Sequence, residues 1–175
     1  MPSDSMPYGP MPFDLRTERL TLRLWEETDA AGYRLLVGER GDAMPTLAEA
    51  REEIRGARES APGRGIHLLT LRRHDEGTGD GEFLGYCGLV VGRSTIDEPE
   101  IAYELLQSAH GMGYATEAAV AVVAAARATG RERLWSTVRA WNAPSFRVLE
   151  KLGFRRDHST SDDRGEIVWS VLELR

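Results

Sequence analysis

Apolar and polar residues alternate sharply at several places along the chain. Arg19–Trp25 reads Arg-Leu-Thr-Leu-Arg-Leu-Trp. A period of two puts the leucines on one face of a strand and the charged and hydroxyl groups on the other. The same reasoning predicts strands over Ile66–Arg72, Glu82–Val91, Glu100–Leu106, Arg133–Ala140, Phe154–His158 and Ile167–Leu174. Helices are predicted over Ala30–Val37, capped by Asp29, and over Leu47–Ser60, opened by the capping-box spacing of Thr46 and Glu49. Two more follow at Thr116–Thr129 and Pro144–Leu152. His74–Gly81 and Arg93–Pro99 read as turns. The order is β-α-α-β-β-β-α-β-α-β-β. Short turns between the middle strands imply antiparallel pairing. The helix between the strands at Glu100 and Arg133 implies a parallel crossover. This is an α+β (α/β) pattern on one mixed sheet.

Composition narrows the picture. The chain has 175 residues, 41% hydrophobic and 29% charged, which suits one domain with a sizeable core. Four prolines in residues 1–12 mark a disordered tail, leaving 13–175 as the domain. A net charge of −6 argues against general affinity for nucleic acid or an anionic membrane. The one cysteine, Cys87, permits no internal disulfide and reads as a core residue of its strand. No apolar run is long enough to span a bilayer, and the N-terminus lacks a signal-peptide pattern, so a cytoplasmic protein is expected. His67, His74 and His158 lack ligand spacing, so no metal is expected.

The chemistry concentrates in Glu100–Glu117, where a strand runs into His-Gly-Met-Gly and then an alanine-rich helix. Glycine lets backbone N–H groups approach a ligand closely, and a helix N-terminus offers unpaired donors and a partial positive charge. The pattern is a phosphate cradle. A dinucleotide-binding turn would need a third glycine where Thr116 stands, and an earlier place in the chain.

Three segments together resemble the GNAT superfamily of acyl-CoA-dependent N-acyltransferases, and within it the RimJ/RimL branch. They are Leu-Arg-Thr-Glu-Arg-Leu-Thr-Leu-Arg at Leu15–Arg23, Gly-Tyr-Ala-Thr-Glu-Ala at Gly113–Ala118, and Asn-Ala-Pro-Ser at Asn142–Ser145 with Leu-Glu-Lys-Leu-Gly-Phe at Leu149–Phe154. The resemblance runs from about Leu15 to the C-terminus. It implies a GNAT fold: a mixed, mostly antiparallel sheet of six to seven strands flanked by about four helices. The sheet would splay between the strands at 100–106 and 133–140. It implies acetyl-CoA as co-substrate, with its pyrophosphate on His110, Gly111, Met112, Gly113, Tyr114, Ala115 and Thr116. His110 stands where relatives usually carry Arg or Gln.

The resemblance also implies that backbone groups of Leu105, Leu106 and Gln107 hold the pantetheine arm, one N–H facing the thioester oxygen. Asn142 would bond the pantetheine amides, or else serve only as a turn residue before Pro144. The tyrosine that many relatives use as acid is replaced by Leu149. The branch alternative is Ser145, whose hydroxyl can meet the CoA sulfur or simply cap the helix. Glu100 and Glu104 share a strand face and are the candidate bases. Glu104 is preferred as nearer the thioester, although a solvated strand glutamate is the plainer reading of either. Arg147 and Lys151 form a solvated helix face or meet the CoA 3′-phosphate. The expected activity is N-acetylation of a protein N-terminal amine or small-molecule amine by a monomer or homodimer. A non-catalytic acyl-CoA-binding module is the alternative. The acceptor pocket, expected from Ala30–Ala61 and the last strands, carries no signature.

Overall fold

The computed structural model describes residues 7–74 and 81–175. Among the described residues, eight strands form one sheet: β1 (Asp14–Arg16), β2 (Leu20–Arg23), β3 (Leu68–Arg73), β4 (Phe83–Val90), β5 (Glu100–Leu105), β6 (Arg133–Arg139), β7 (Arg155–Asp162) and β8 (Gly165–Glu173). Their order is β1-β2-β3-β4-β5-β6-β8-β7, antiparallel except for β5 beside β6. Four α-helices accompany them: α1 (Ala30–Glu39), α2 (Leu47–Arg64), α3 (Tyr114–Ala128) and α4 (Ala143–Leu152). The mixed, mostly antiparallel sheet and its four helices are those expected. β1 is an added edge strand, too short for alternation to reveal. Most of the expected turn at His74–Gly81 lies outside the described residues, as does the tail through residue 6.

Residues 7–12, expected to belong to the tail, lie against the body instead. Gly9 N–H donates to the Thr129 carbonyl at 2.9 Å, Met11 N–H donates to Gly65 at 2.8 Å, and Met11 is buried in the core. The pattern of apolar positions decides the rest. Leu20 and Leu22 of β2 join Leu71, Leu89, Ala118, Val122 and Leu134 in a large core beneath α3 and α4. Cys87 belongs to the same core, and burial pushes its thiol pKa upward. A smaller cluster of Trp25, Leu36, Ile54, Phe83 and Leu106 lies under α1 and α2 on the opposite face.

Two local expectations fare differently. The capping box of α2 forms, with Glu49 N–H donating to Thr46 Oγ1 at 3.2 Å and Thr46 N–H to Glu49 Oε2 at 2.7 Å. Asp29 does not cap α1 with its side chain. Its buried carboxylate accepts from Arg23 at 2.8 Å, Arg72 at 2.7 Å and Glu26 N–H at 2.8 Å. A fully buried carboxylate is stable only where such donors surround it, so the ion pairs displace capping.

β5 and β6 are registered only at Glu100 opposite Trp135. Beyond that pair they diverge, and no backbone ladder closes the sheet between Glu104 and Arg139. This is the expected splay, and it positions the site.

Candidate active site

A cleft of about 730 Å³ opens where β5 leaves β6, bounded by the 107–113 turn, the start of α3 and the first turns of α4. Gly111 and Gly113 adopt left-handed φ values of +76° and +80°. A residue with a Cβ is strained there, which explains both glycines. A Cβ at Gly111 would meet nothing within 4 Å, so the turn faces open space. Gly113 is the N-cap of α3 and has no side chain to satisfy the first N–H groups of the helix. Those donors are available to an anion.

The turn is braced from the start of the chain. Arg19 Nη1 donates to the Met112 carbonyl at 2.9 Å, and its guanidinium lies 4.4 Å from the Tyr114 ring centre. Arg19 Nε also donates to Glu117 at 2.7 Å, the Arg19 N–H to the same carboxylate at 2.8 Å, and Thr17 Oγ1 at 2.6 Å. Partial burial alone would raise the Glu117 pKa; the bonds from Thr17 and Arg19 outweigh it and hold the pKa below the usual carboxylate range. Two of the three sequence segments, Leu15–Arg23 and Gly113–Ala118, thus meet in space.

Of the residues assigned to the co-substrate, Leu105, Gln107, His110, Gly111, Gly113, Tyr114, Ala115, Thr116 and Asn142 line the cleft. Leu106 and Met112 do not. The Leu106 side chain is buried in the α1–α2 cluster and its N–H donates to the Leu84 carbonyl at 2.8 Å, so sheet pairing claims it. Met112 contributes its carbonyl to Arg19 and turns an exposed side chain outward. His110 folds back so that its Nε2 donates to the Leu105 carbonyl at 2.8 Å. The Gln107 N–H donates to Glu39 Oε2 at 2.8 Å. That bond is to a side chain, so rotation of Glu39 frees the N–H for a ligand in the cleft.

Asn142 caps α4, its Oδ1 accepting from Ser145 N–H at 3.3 Å. The amide nitrogen takes no part in that cap. Ser145 lines the cleft, as do Arg147 and Lys151, two and six residues further along. Leu149 is 2% exposed in the core, so a residue at that position does not face the cleft at all. Tyr103, which the sequence reading missed, does. It projects from β5 to the α4 side, and its hydroxyl donates to the Ser145 carbonyl at 3.0 Å. Burial raises the Tyr103 pKa. Tyr103 and Glu104 are consecutive on β5 and so point to opposite faces, and the divergence of β6 opens Tyr103 to the cleft.

The two candidate bases separate. Glu104 lines the cleft, paired with Arg40 at 3.1 Å and accepting from Tyr86 at 3.2 Å. A carboxylate has about four lone-pair sites, so accepting capacity remains. Glu100 is 5% exposed, faces no described cavity, and accepts from Arg93 N–H at 2.5 Å and Thr137 Oγ1 at 2.6 Å. It fastens the β4–β5 turn to β6. Arg40, at the end of α1, carried no signal in the sequence because its partner is supplied by β5.

The cleft therefore combines a glycine turn at a helix N-terminus, an open seam through the sheet, hydroxyl groups on one side and a carboxylate on the other. A family model for an acetyltransferase (GNAT) domain matches residues 19–155. No curated protein matches the chain in sequence. Among solved structures, an acetyltransferase from Agrobacterium tumefaciens is 26% identical, with 94% of this chain and 96% of that one covered at a TM-score of 0.72. The microcin self-immunity acetyltransferase MccE, in complex with acetyl-CoA and AMP, is 12% identical, with 90% and 93% covered at a TM-score of 0.74. RimL, a ribosomal-protein alpha-N-acetyltransferase in complex with coenzyme A, is 15% identical, with 93% and 97% covered at a TM-score of 0.72.

Proposed function

The chain belongs to the acetyltransferase (GNAT) domain family, and on that premise we propose that it transfers an acetyl group from acetyl-CoA to a primary amine by direct attack in a ternary complex. The observation that carries this reading is one junction: a left-handed glycine turn at a helix N-terminus opens onto the gap between β5 and β6, beside Glu104. A RimJ/RimL-like placement within the family is supported by Thr17 and Arg19, whose segment braces the turn through Glu117.

Bound acetyl-CoA supplies a thioester carbonyl and a thiolate leaving group. The N–H groups of Gly111–Thr116 receive the pyrophosphate, with Arg147 and Lys151 as cations along the same cleft. The Leu105 backbone, the Asn142 amide and the Gln107 N–H hold the arm, the last after Glu39 turns aside. Glu104 takes a proton from the amine, the N–C bond forms and the C–S bond breaks. Ser145 donates a hydrogen bond to the departing sulfur, whose basicity, near pKa ~8.5 for a thiol, demands little more. A carboxylate is a weak base but suffices for an α-amine, with pKa near ~8 and already partly neutral at pH 7.

The test is a panel of primary amines incubated with acetyl-CoA and read by free-thiol release. Release with at least one amine is expected. Binding of acetyl-CoA with no release across the panel would instead leave a non-catalytic acyl-CoA-binding module.

A further inference from the structure

A second cavity, of about 690 Å³, lies on the α1–α2 face of the sheet. It meets the donor cleft at Arg40, which lines both. At this junction Tyr86 donates to Glu104 and Tyr33 donates to Glu53. The Trp25 ring lies 5.6 Å from Tyr33 and 6.1 Å from Tyr86. Two carboxylates and three aromatic rings suit an amine or ammonium group.

From there the cavity runs along two walls. The α2 wall extends from Glu53 to Arg64, about 16 Å at ~1.5 Å per residue. The β4 wall extends from Tyr86 to Val91, again about 16 Å at ~3.3 Å per residue. Two elements of different rise give one length, which is that of about five residues of extended chain. The charge reverses along the way. Arg58 and Arg64 line the far half, and among the described residues neither has an ion-pair partner. Arg58 donates to the Trp25 carbonyl at 2.9 Å. His67, which also lines the cavity, donates from Nε2 to the Pro12 carbonyl at 2.8 Å. Burial lowers the His67 pKa, so the ring is neutral at pH 7. The far end is open, with Val91 and Ile96 exposed by 42% and 36%.

We propose that this cavity is the acceptor groove, and that it takes the N-terminal segment of an acidic peptide in extended form, amine at Glu104 and carboxylate side chains toward Arg58 and Arg64. The proposal rests on the acetyl-transfer reading above and names the acceptor class of that same site. Arg58 lies about 7.5 Å along α2 from Glu53, level with a third residue, and Arg64 about 16 Å along, level with a fifth or sixth. Third and fifth residues of an extended chain share a face. The open end lets a longer polypeptide leave.

The experiment compares two hexapeptides that differ only in Glu or Gln at positions three and five. Thiol release is read at saturating acetyl-CoA, with small primary amines as a third arm. The acidic peptide should show about five- to tenfold higher kcat/KM at low salt, the ratio shrinking as salt rises. Arg58→Gln and Arg64→Gln should each narrow the ratio, and Arg64→Glu should invert it for a Lys-bearing peptide. Should Arg58→Gln fail to fold, because it braces Trp25, the Arg64 variants carry the test. Equal kcat/KM for the two peptides overturns the acidic preference while acetyl transfer stands. Turnover of small amines but of no peptide overturns the peptide groove, again with acetyl transfer intact. No release from any amine overturns both readings.

Discussion

Glu117→Gln removes the charge that ties the first strands to the start of α3. The wild-type carboxylate accepts three bonds, from Thr17 Oγ1 at 2.6 Å, Arg19 N–H at 2.8 Å and Arg19 Nε at 2.7 Å. An amide can still accept the first two, though more weakly, but it must turn its NH₂ group toward the guanidinium. Glu117 is 18% exposed and Arg19 43% exposed, so the ion pair itself is held to a surface value of about 0.5 kcal/mol. Weakening the two remaining charge-assisted bonds adds roughly 0.5–1 kcal/mol each. The sum, about 2 kcal/mol, lowers Tm by about 4–8 °C for a domain of this size. The pH dependence follows from the depressed pKa of Glu117 in the fold. Its contribution is fully present above the unfolded value of 4.5 and is lost as pH falls through the lower folded value. Denaturant unfolding of wild type and variant should therefore differ most at neutral pH and converge below about pH 4.5. A Tm within 1 °C of wild type at pH 7, or a defect that keeps its full size in acid, would refute this account of the brace.

The remaining predictions concern the chemistry. Ser145→Ala should lower kcat and kcat/KM together by about tenfold while acetyl-CoA affinity stays within a few-fold; full kcat would remove Ser145 from the step, and Tyr103→Phe then tests the phenol beside it. Glu104→Gln should slow turnover most below the pKa of the acceptor amine, where a base has most to do, and the pH–rate profile of wild type against variant checks this. Glu100→Gln should instead cost about 1–2 kcal/mol of stability in a denaturant titration, because its buried carboxylate holds Arg93 N–H and Thr137 Oγ1, and it should leave the shape of that profile alone.

The parts of the molecule legible in the sequence are those fixed by local physics. Alternation at Leu20 and Leu22 located β2, the Thr46–Glu49 spacing located the start of α2, and the two glycines before Tyr114 located the turn that opens α3. α2 runs past its expected end at Ser60 because Pro62 falls in the last turn, where it forfeits one backbone bond before Gly65 closes the helix at φ +69°. What stayed hidden depends on long-range approach. Arg19 and Glu117 lie 98 residues apart, and Arg40 meets Glu104 across 64. Asp29 looked like a cap because its local neighbours suit one, but Arg72 arrives from 43 residues away and claims it. Tyr103 and Ser145 become neighbours only because β6 diverges from β5, and no periodicity announces a gap.

Calorimetric titration of acetyl-CoA into the wild-type protein and Gly113→Val tests the central claim most directly. Val cannot adopt the +80° φ of the N-cap without strain, and its side chain would crowd the approach to the α3 N–H groups. The wild type should bind with one-to-one stoichiometry and should gain about 2.7 kcal/mol of stability at a hundredfold excess over Kd. The folded variant should bind at least tenfold more weakly. No binding to the wild type, or equal affinity in Gly113→Val, would contradict the assignment of the turn as the acetyl-CoA cradle.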